Sequence, residues 1–206
     1  MVHIVTFQDS ESAALDALRP LDESHPSGAL VELLSQITSL TEQYLDQADA
    51  NPLNHRYCAD NAYINNDVEV TSVLERAFTT LPHRKSFALW FSMSPTSRRQ
   101  LPNMACSIQS DHYFALYTVW EDERDDIRCK QWVKDIMTGV LPSSDGAYLG
   151  DSDFQVRRTK FWTDEAAERL MELRKKWDPN GIVSGYLDDG DASGVSGLDN
   201  RDWMKS

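Results

Sequence analysis

The chain has 206 residues, with 20 Lys and Arg against 33 Asp and Glu, a net charge of −13 and a mean hydropathy of −0.50. That length suits one compact domain or one with an appendage, and such acidity argues against DNA or RNA as a partner, because phosphate binding requires a clustered basic surface. No run approaches the ~20 apolar residues of a bilayer span, and the opening MVHIVTFQDSE has neither region of a secretory signal, so a soluble cytoplasmic protein without a membrane partner is expected.

Residues 2–7 (VHIVTF) read as a short strand, and 9–18 as a helix stopping near Pro20. After His25-Pro26-Ser27, Leu30, Leu33, Leu34, Ile37, Leu40 and Tyr44 recur at three- and four-residue spacing and predict a long amphipathic helix. Residues 1–54 hold nine acids and one arginine, so most of the acidity lies in this helical arm and reads as a solvated outer face.

From residue 55 strands alternate with helices. Residues 56–64 (RYCADNAYI) predict a strand. Asn66 with Glu69 resembles a capping box, and Val70, Val73, Leu74, Ala77, Phe78 and Leu81 form a helical stripe ending at Pro82. Residues 86–94 (SFALWFSMS) predict the next strand, and the run 105–121 holds two strands or one bent strand. A helix then starts inside the acidic cluster Glu121 to Asp126, with Cys129, Val133, Ile136 and Val140 at core spacing, and Gly146 to Leu149 form a last short strand. The consequence for 55–150 is an α+β fold with a ferredoxin-like βαββαβ core, an antiparallel sheet carrying both helices on one face. Residues 151–187 add a further helix capped by Thr163, with Ala166, Leu170, Leu173 and Trp177 on one face, to complete a single domain over 1–187. Residues 188–206 are Gly-, Ser- and Asp-rich and read as a flexible acidic tail.

Side chains alternate along a strand, so Phe87, Leu89, Phe91 and Met93 face one way and Ala88, Trp90 and Ser92 the other. In 111–121, His112, Phe114, Leu116, Thr118 and Trp120 oppose Tyr113, Ala115, Tyr117 and Val119. Neither strand has a clean polar face. One helix layer covers one side, so the other must meet the N-terminal helices, a second chain in a homodimer, or a bound ligand. We place Trp90, Tyr113 and Tyr117 on that other side.

Three segments resemble the C-terminal, substrate-binding part of FAD-linked oxidoreductases of the berberine bridge enzyme and 6-hydroxynicotine oxidase type. They are His112 to Asp126 (HYFALYTVWEDERDD), Gly146-Ala147-Tyr148-Leu149, and Glu168 to Pro179 (ERLMELRKKWDP), which is similar to the family's closing helix. The opening VHIVTF is similar to the strand by which such enzymes enter this domain. The resemblance implies a sheet that faces a flavin and a substrate. In that family a separate N-terminal domain holds the FAD, and no Gly-rich phosphate loop occurs in these 206 residues, so no cofactor-binding residue is assigned. Where the family often has Asn after the Tyr of the GAYxN-like strand, this chain has Gly150.

The candidate catalytic residues are Tyr113 and Tyr117, whose phenols can donate to a substrate carbonyl, and His112 as general acid or base. Trp90, Ser92, Trp120 and Tyr148 are candidate substrate-binding residues, and Arg98, with Arg99, can clamp a carboxylate. The acids of EDERDD complement a helix dipole, and no metal site is assigned. Cys58, Cys106 and Cys129 form no C-x-x-C pair and read as small buried hydrophobes. The leading expectation is a cofactor-independent cyclase or isomerase, of Diels–Alder type among others, acting on a hydrophobic polyene-like intermediate of secondary metabolism. Folding the substrate into a reactive conformer and one hydrogen bond would lower its barrier. Two alternatives stand beside it: a substrate-domain subunit of an FAD-dependent oxidoreductase, and a non-catalytic dimerisation or ligand-binding module.

Overall fold

The computed structural model describes residues 3–25, 27–28, 31–94, 96–153, 159–180 and 182. The chain divides into two compact units, Met1–Asn51 and Pro52–Ser206. The expected acidic tail 188–206 lies outside the described residues.

The first unit contains helices α1 (Glu11–Ser24) and α2 (Leu40–Ala50). Ser10 caps α1 by accepting from the Ala13 N–H, and the helix runs through Pro20 for another turn rather than stopping there. A proline at that position removes only the one N–H that would have bonded Asp16, and the rest of the ladder continues. Among the described residues 31–38, the long helix expected from the leucine stripe is absent. Ser35 takes φ +34, which breaks a right-handed helix, and the capping box between Ser39 and Glu42 starts α2 one turn before Tyr44. Leu33 and Ile37 are therefore exposed loop residues. The strand expected at 2–7 is also missing. Residues 3–8 are irregular, since an isolated apolar run gains nothing from extension without a partner strand.

The second unit begins with β1 (Arg56–Ile64), α3 (Val70–Thr79), β2 (Phe87–Ser92) and β3 (His112–Trp120), followed by α4 (Asp126–Val140), β4 (Ser144–Gly146) and α5 (Asp164–Trp177). This is the βαββαβ order expected from the sequence, followed by the expected helix capped by Thr163, but the last strand is Ser144–Gly146 rather than Gly146–Leu149, which leads into a 3-10 turn. The four strands form one antiparallel sheet in the order β2-β3-β1-β4, with Tyr63 opposite Tyr113 and Ala59 opposite Tyr117. Glu69, not Asn66, caps α3: its carboxylate accepts from the N–H groups of Thr71 and Ser72, which hold its pKa down to about 2. Asn66 instead accepts from the Asp111 N–H at the start of β3.

α3 and α4 pack Leu74, Ala77, Cys129, Val133, Ile136 and Met137 against Cys58, Ala62, Ile64, Phe114, Leu116 and Trp120 of the sheet. Asp126 joins three elements, pairing with Arg56 of β1 and accepting from the Trp120 indole N–H at 2.7 Å. A smaller cluster of Ala147, Phe161, Trp162 and Ala167 packs beside Leu149 and Leu170. On α5 the buried position is Ala167, whereas Leu173 and Trp177 of the expected stripe are exposed. Cys58 and Cys129 are buried as expected, and burial pushes the Cys58 thiol up to about 12, but Cys106 is exposed because 105–110 is irregular rather than a strand. No described helix is long and apolar enough to cross a membrane.

Gly146 ends β4 at φ +149, and a Cβ there would lie 2.2 Å from Ile108 Cδ1 and 2.8 Å from the Lys160 carbonyl oxygen. Backbone conformation and space both demand glycine. Gly146→Ala is expected to cost about 2 kcal/mol or more in urea denaturation, since one clash is with backbone that cannot turn aside.

Candidate functional site

The alternation of β1, β2 and β3 puts Asn61, Tyr63, Tyr113, Tyr117, Phe87 and Phe91 on the face opposite the helices. Tyr113 is the centre of this wall. Its ring meets Tyr63 at 5.3 Å, Phe91 at 6.0 Å and the edge of Tyr148 at 6.4 Å, while Tyr117 stacks on Phe87 at 4.9 Å. Such tilted and offset contacts are the favourable geometries for aromatic quadrupoles.

The segment following β4 crosses this face, and Asn61 holds it there. The Asn61 amide accepts from the Tyr148 N–H at 2.6 Å and donates to the Tyr148 carbonyl at 2.8 Å and to Ser152 Oγ at 3.0 Å. The Asp153 N–H donates to the Ala59 carbonyl at 3.0 Å. Between these anchors a short 3-10 turn, Leu149–Asp151, points its last carboxylate at the sheet, where the Tyr113 hydroxyl donates to Asp151 Oδ2 at 2.5 Å. Burial pushes the Tyr113 phenol far above its ordinary value, and the hydrogen bond to Asp151 adds to the shift. Tyr117 is pushed up to about 12, by burial first and then by the negative charge of Asp151. Both phenols consequently stay protonated at neutral pH as hydrogen-bond donors, and Asp151 accepts from Tyr113.

The 206 residues match several curated proteins. They are 33% identical over 183 residues to the FAD-linked oxidoreductase ptmO of Penicillium ochrochloron, covering 87% of this chain and 40% of that protein. FAD-linked oxidoreductase nodO of Hypoxylon pulicicidum is 30% identical over 91% of this chain, and janO of Penicillium janthinellum 32% over 90%. The chain is related to the FAD-linked oxidoreductases. It spans about two fifths of the length of these relatives. No family model and no solved structure matches it.

The described residues of this oxidoreductase relative bring two glycines, Gly146 and Gly150, near the aromatic wall. Neither glycine near the aromatic wall offers open backbone to a phosphate: Gly146 is crowded by Ile108 and Lys160, and the space over Gly150 is filled by the Tyr148 ring. What they offer is one aromatic wall with a carboxylate on it.

Of the residues singled out by sequence, Tyr113, Tyr117 and Tyr148 come together here. The others do not join them. Trp90 lies on the helix face, contrary to the side we expected, because its partner in the ladder is Phe114 and the pleat fixes the facing of every second residue. It stacks on His112 at 5.8 Å, and Ser92 is paired with His112 at the same end of the sheet. Trp120 is sealed in the core with its N–H on Asp126. Arg98 is engaged by Asp111, whose carboxyl this guanidinium and Ser97 hold down to about 2. Asp151 and Asn61 were missed. For Asn61 a signal existed, since a polar pair, Asp60-Asn61, in the middle of a strand must find partners if that strand is central.

Asn61→Ala leaves the main chain of Tyr148 without its partners and is expected to cost about 1–3 kcal/mol in chemical denaturation. Asp151→Asn removes a charge that raises the Tyr117 phenol, so tyrosinate absorbance in alkaline titration should appear at lower pH than in the parent. A raised phenol favours the folded state below its ordinary value of about 10, and that contribution is lost as pH rises through about 12. Melting temperatures taken from pH 8 to 12 should therefore fall less in Asp151→Asn than in the parent, because a smaller shift makes the lost contribution smaller.

Proposed function

We propose that this chain supplies the substrate wall and the proton-handling groups of an FAD-linked oxidoreductase whose flavin is bound by protein outside these 206 residues. The observation that carries the reading is the Asp151 carboxylate held by the Tyr113 hydroxyl on an aromatic face, in a chain whose relatives are named FAD-linked oxidoreductases. Oxidation of an alcohol or amine requires loss of a proton from oxygen or nitrogen. Asp151, with the Tyr113 and Tyr117 phenols as its neighbours, would take that proton, and the aromatic wall packs one side of the substrate. Positioning is set by main-chain bonds to Asn61, so little reorganisation accompanies the transfer.

A cofactor-free cyclisation or isomerisation in secondary metabolism is the second reading, and the phenols favour it. A tyrosine kept neutral beside an apolar wall can polarise a carbonyl of a folded polyene without redox change once its single O–H turns from Asp151 to the substrate. Stoichiometry separates the two readings. With Asp151→Asn introduced into the chromosomal gene of the producing organism, mass spectrometry of extracts should show loss of a product and accumulation of a precursor carrying two more hydrogens. A precursor isomeric with the lost product would select the cyclase, and an unchanged metabolite profile would overturn both readings.

A further inference from the structure

Tyr148 combines a fixed main chain with an exposed ring. Its N–H and carbonyl are both bonded to the Asn61 amide, so the backbone cannot shift without breaking two hydrogen bonds. The ring is 45% exposed and lies edge-on to Tyr113 with an interplanar angle of 77°. It rests on Gly150: a Cβ at that position would stand 2.7 Å from Cε1, 2.8 Å from Cζ and 2.9 Å from the hydroxyl oxygen of Tyr148. Any residue other than glycine would meet the ring inside van der Waals contact.

We infer that Tyr148 is a specificity-determining residue that controls access to the Tyr113–Asp151 pair, and that glycine at 150 is what allows it to lie closed. Gly150 has no positive φ to explain its presence, so the reason for glycine is the space above it. With the ring down, Tyr148 lies against Tyr113 in a T-shaped contact, and Tyr113 is 9% exposed. With the ring turned outward by side-chain rotation alone, the Tyr113 face is free to accept another flat ring in its place. The substrate class that fits is thus a flat apolar molecule bearing a hydroxyl or amine, stacked where Tyr148 had been. This substrate assignment rests on the proposed function above; the gating itself does not.

Hydroxyl-radical footprinting with peptide mass spectrometry reads the gate in the purified chain without any substrate. Tyr113 should be oxidised about threefold faster or more in Gly150→Ala and in Tyr148→Ala than in the parent, while Tyr148→Phe, which keeps the covering ring, should match the parent. Far-ultraviolet circular dichroism and melting temperature identify any variant that has lost its fold, and either of the two opening variants suffices for the comparison. Unchanged protection of Tyr113 in a folded Tyr148→Ala would overturn the gate and leave the proposed function standing. If the gate opens as expected but Asp151→Asn leaves the metabolite profile unaltered, the function fails and the gate remains.

Discussion

The arrangement on the open face of the sheet depends on one buried amide. Asn61 sits in β1, a central strand flanked by β3 and β4, where an unpaired polar group would be costly. Its side chain satisfies itself on the main chain of Tyr148 and on Ser152, and those bonds tie an otherwise irregular segment to the sheet. The placement of the Asp151 carboxylate beside Tyr113 and the fixed main chain of Tyr148 follow. A loop carries the reactive group, but a strand decides where the loop lies.

The two faces of the sheet do different work with similar composition. On one face, Phe114, Leu116 and Trp120 are sealed beneath α3 and α4, and polar tips such as the Trp120 indole N–H are satisfied within the protein by Asp126. On the other, Tyr113 is centred among rings, and Phe91 and Tyr148 are each about half exposed. Aromatics with polar tips suit such a surface, since they can bind apolar partners and still offer a hydrogen bond. Kinship with proteins two and a half times this chain's aligned share fits a face that is one wall of a larger site.

Amide and glycine act on different parts of the same segment, one on its main chain and the other on a side chain. The clamped backbone from Tyr148 to Asp153 fixes the carboxylate, and freedom is confined to one side chain lying over a residue without a Cβ. Crowding at Gly146 works in the opposite sense, because its neighbours include the Lys160 carbonyl and leave nothing to rotate.

Much of this molecule could be read from its residues. Helical spacing at Cys129, Val133 and Ile136 and the apolar runs at 56–64, 86–94 and 105–121 determined the strand and helix order of the second unit, although only 112–120 of the last run is a strand. Spacing misled in 31–38, where a left-handed Ser35 and a local capping box outweighed a leucine stripe. Tertiary structure alone decided which face each strand presents, since a register shift of one residue exchanges the two; hence Trp90 went to the helix side and Tyr113 to the open one. It alone also brought Asp151 to Tyr113, two residues 38 apart in sequence whose meeting depends on Asn61 and on no local pattern.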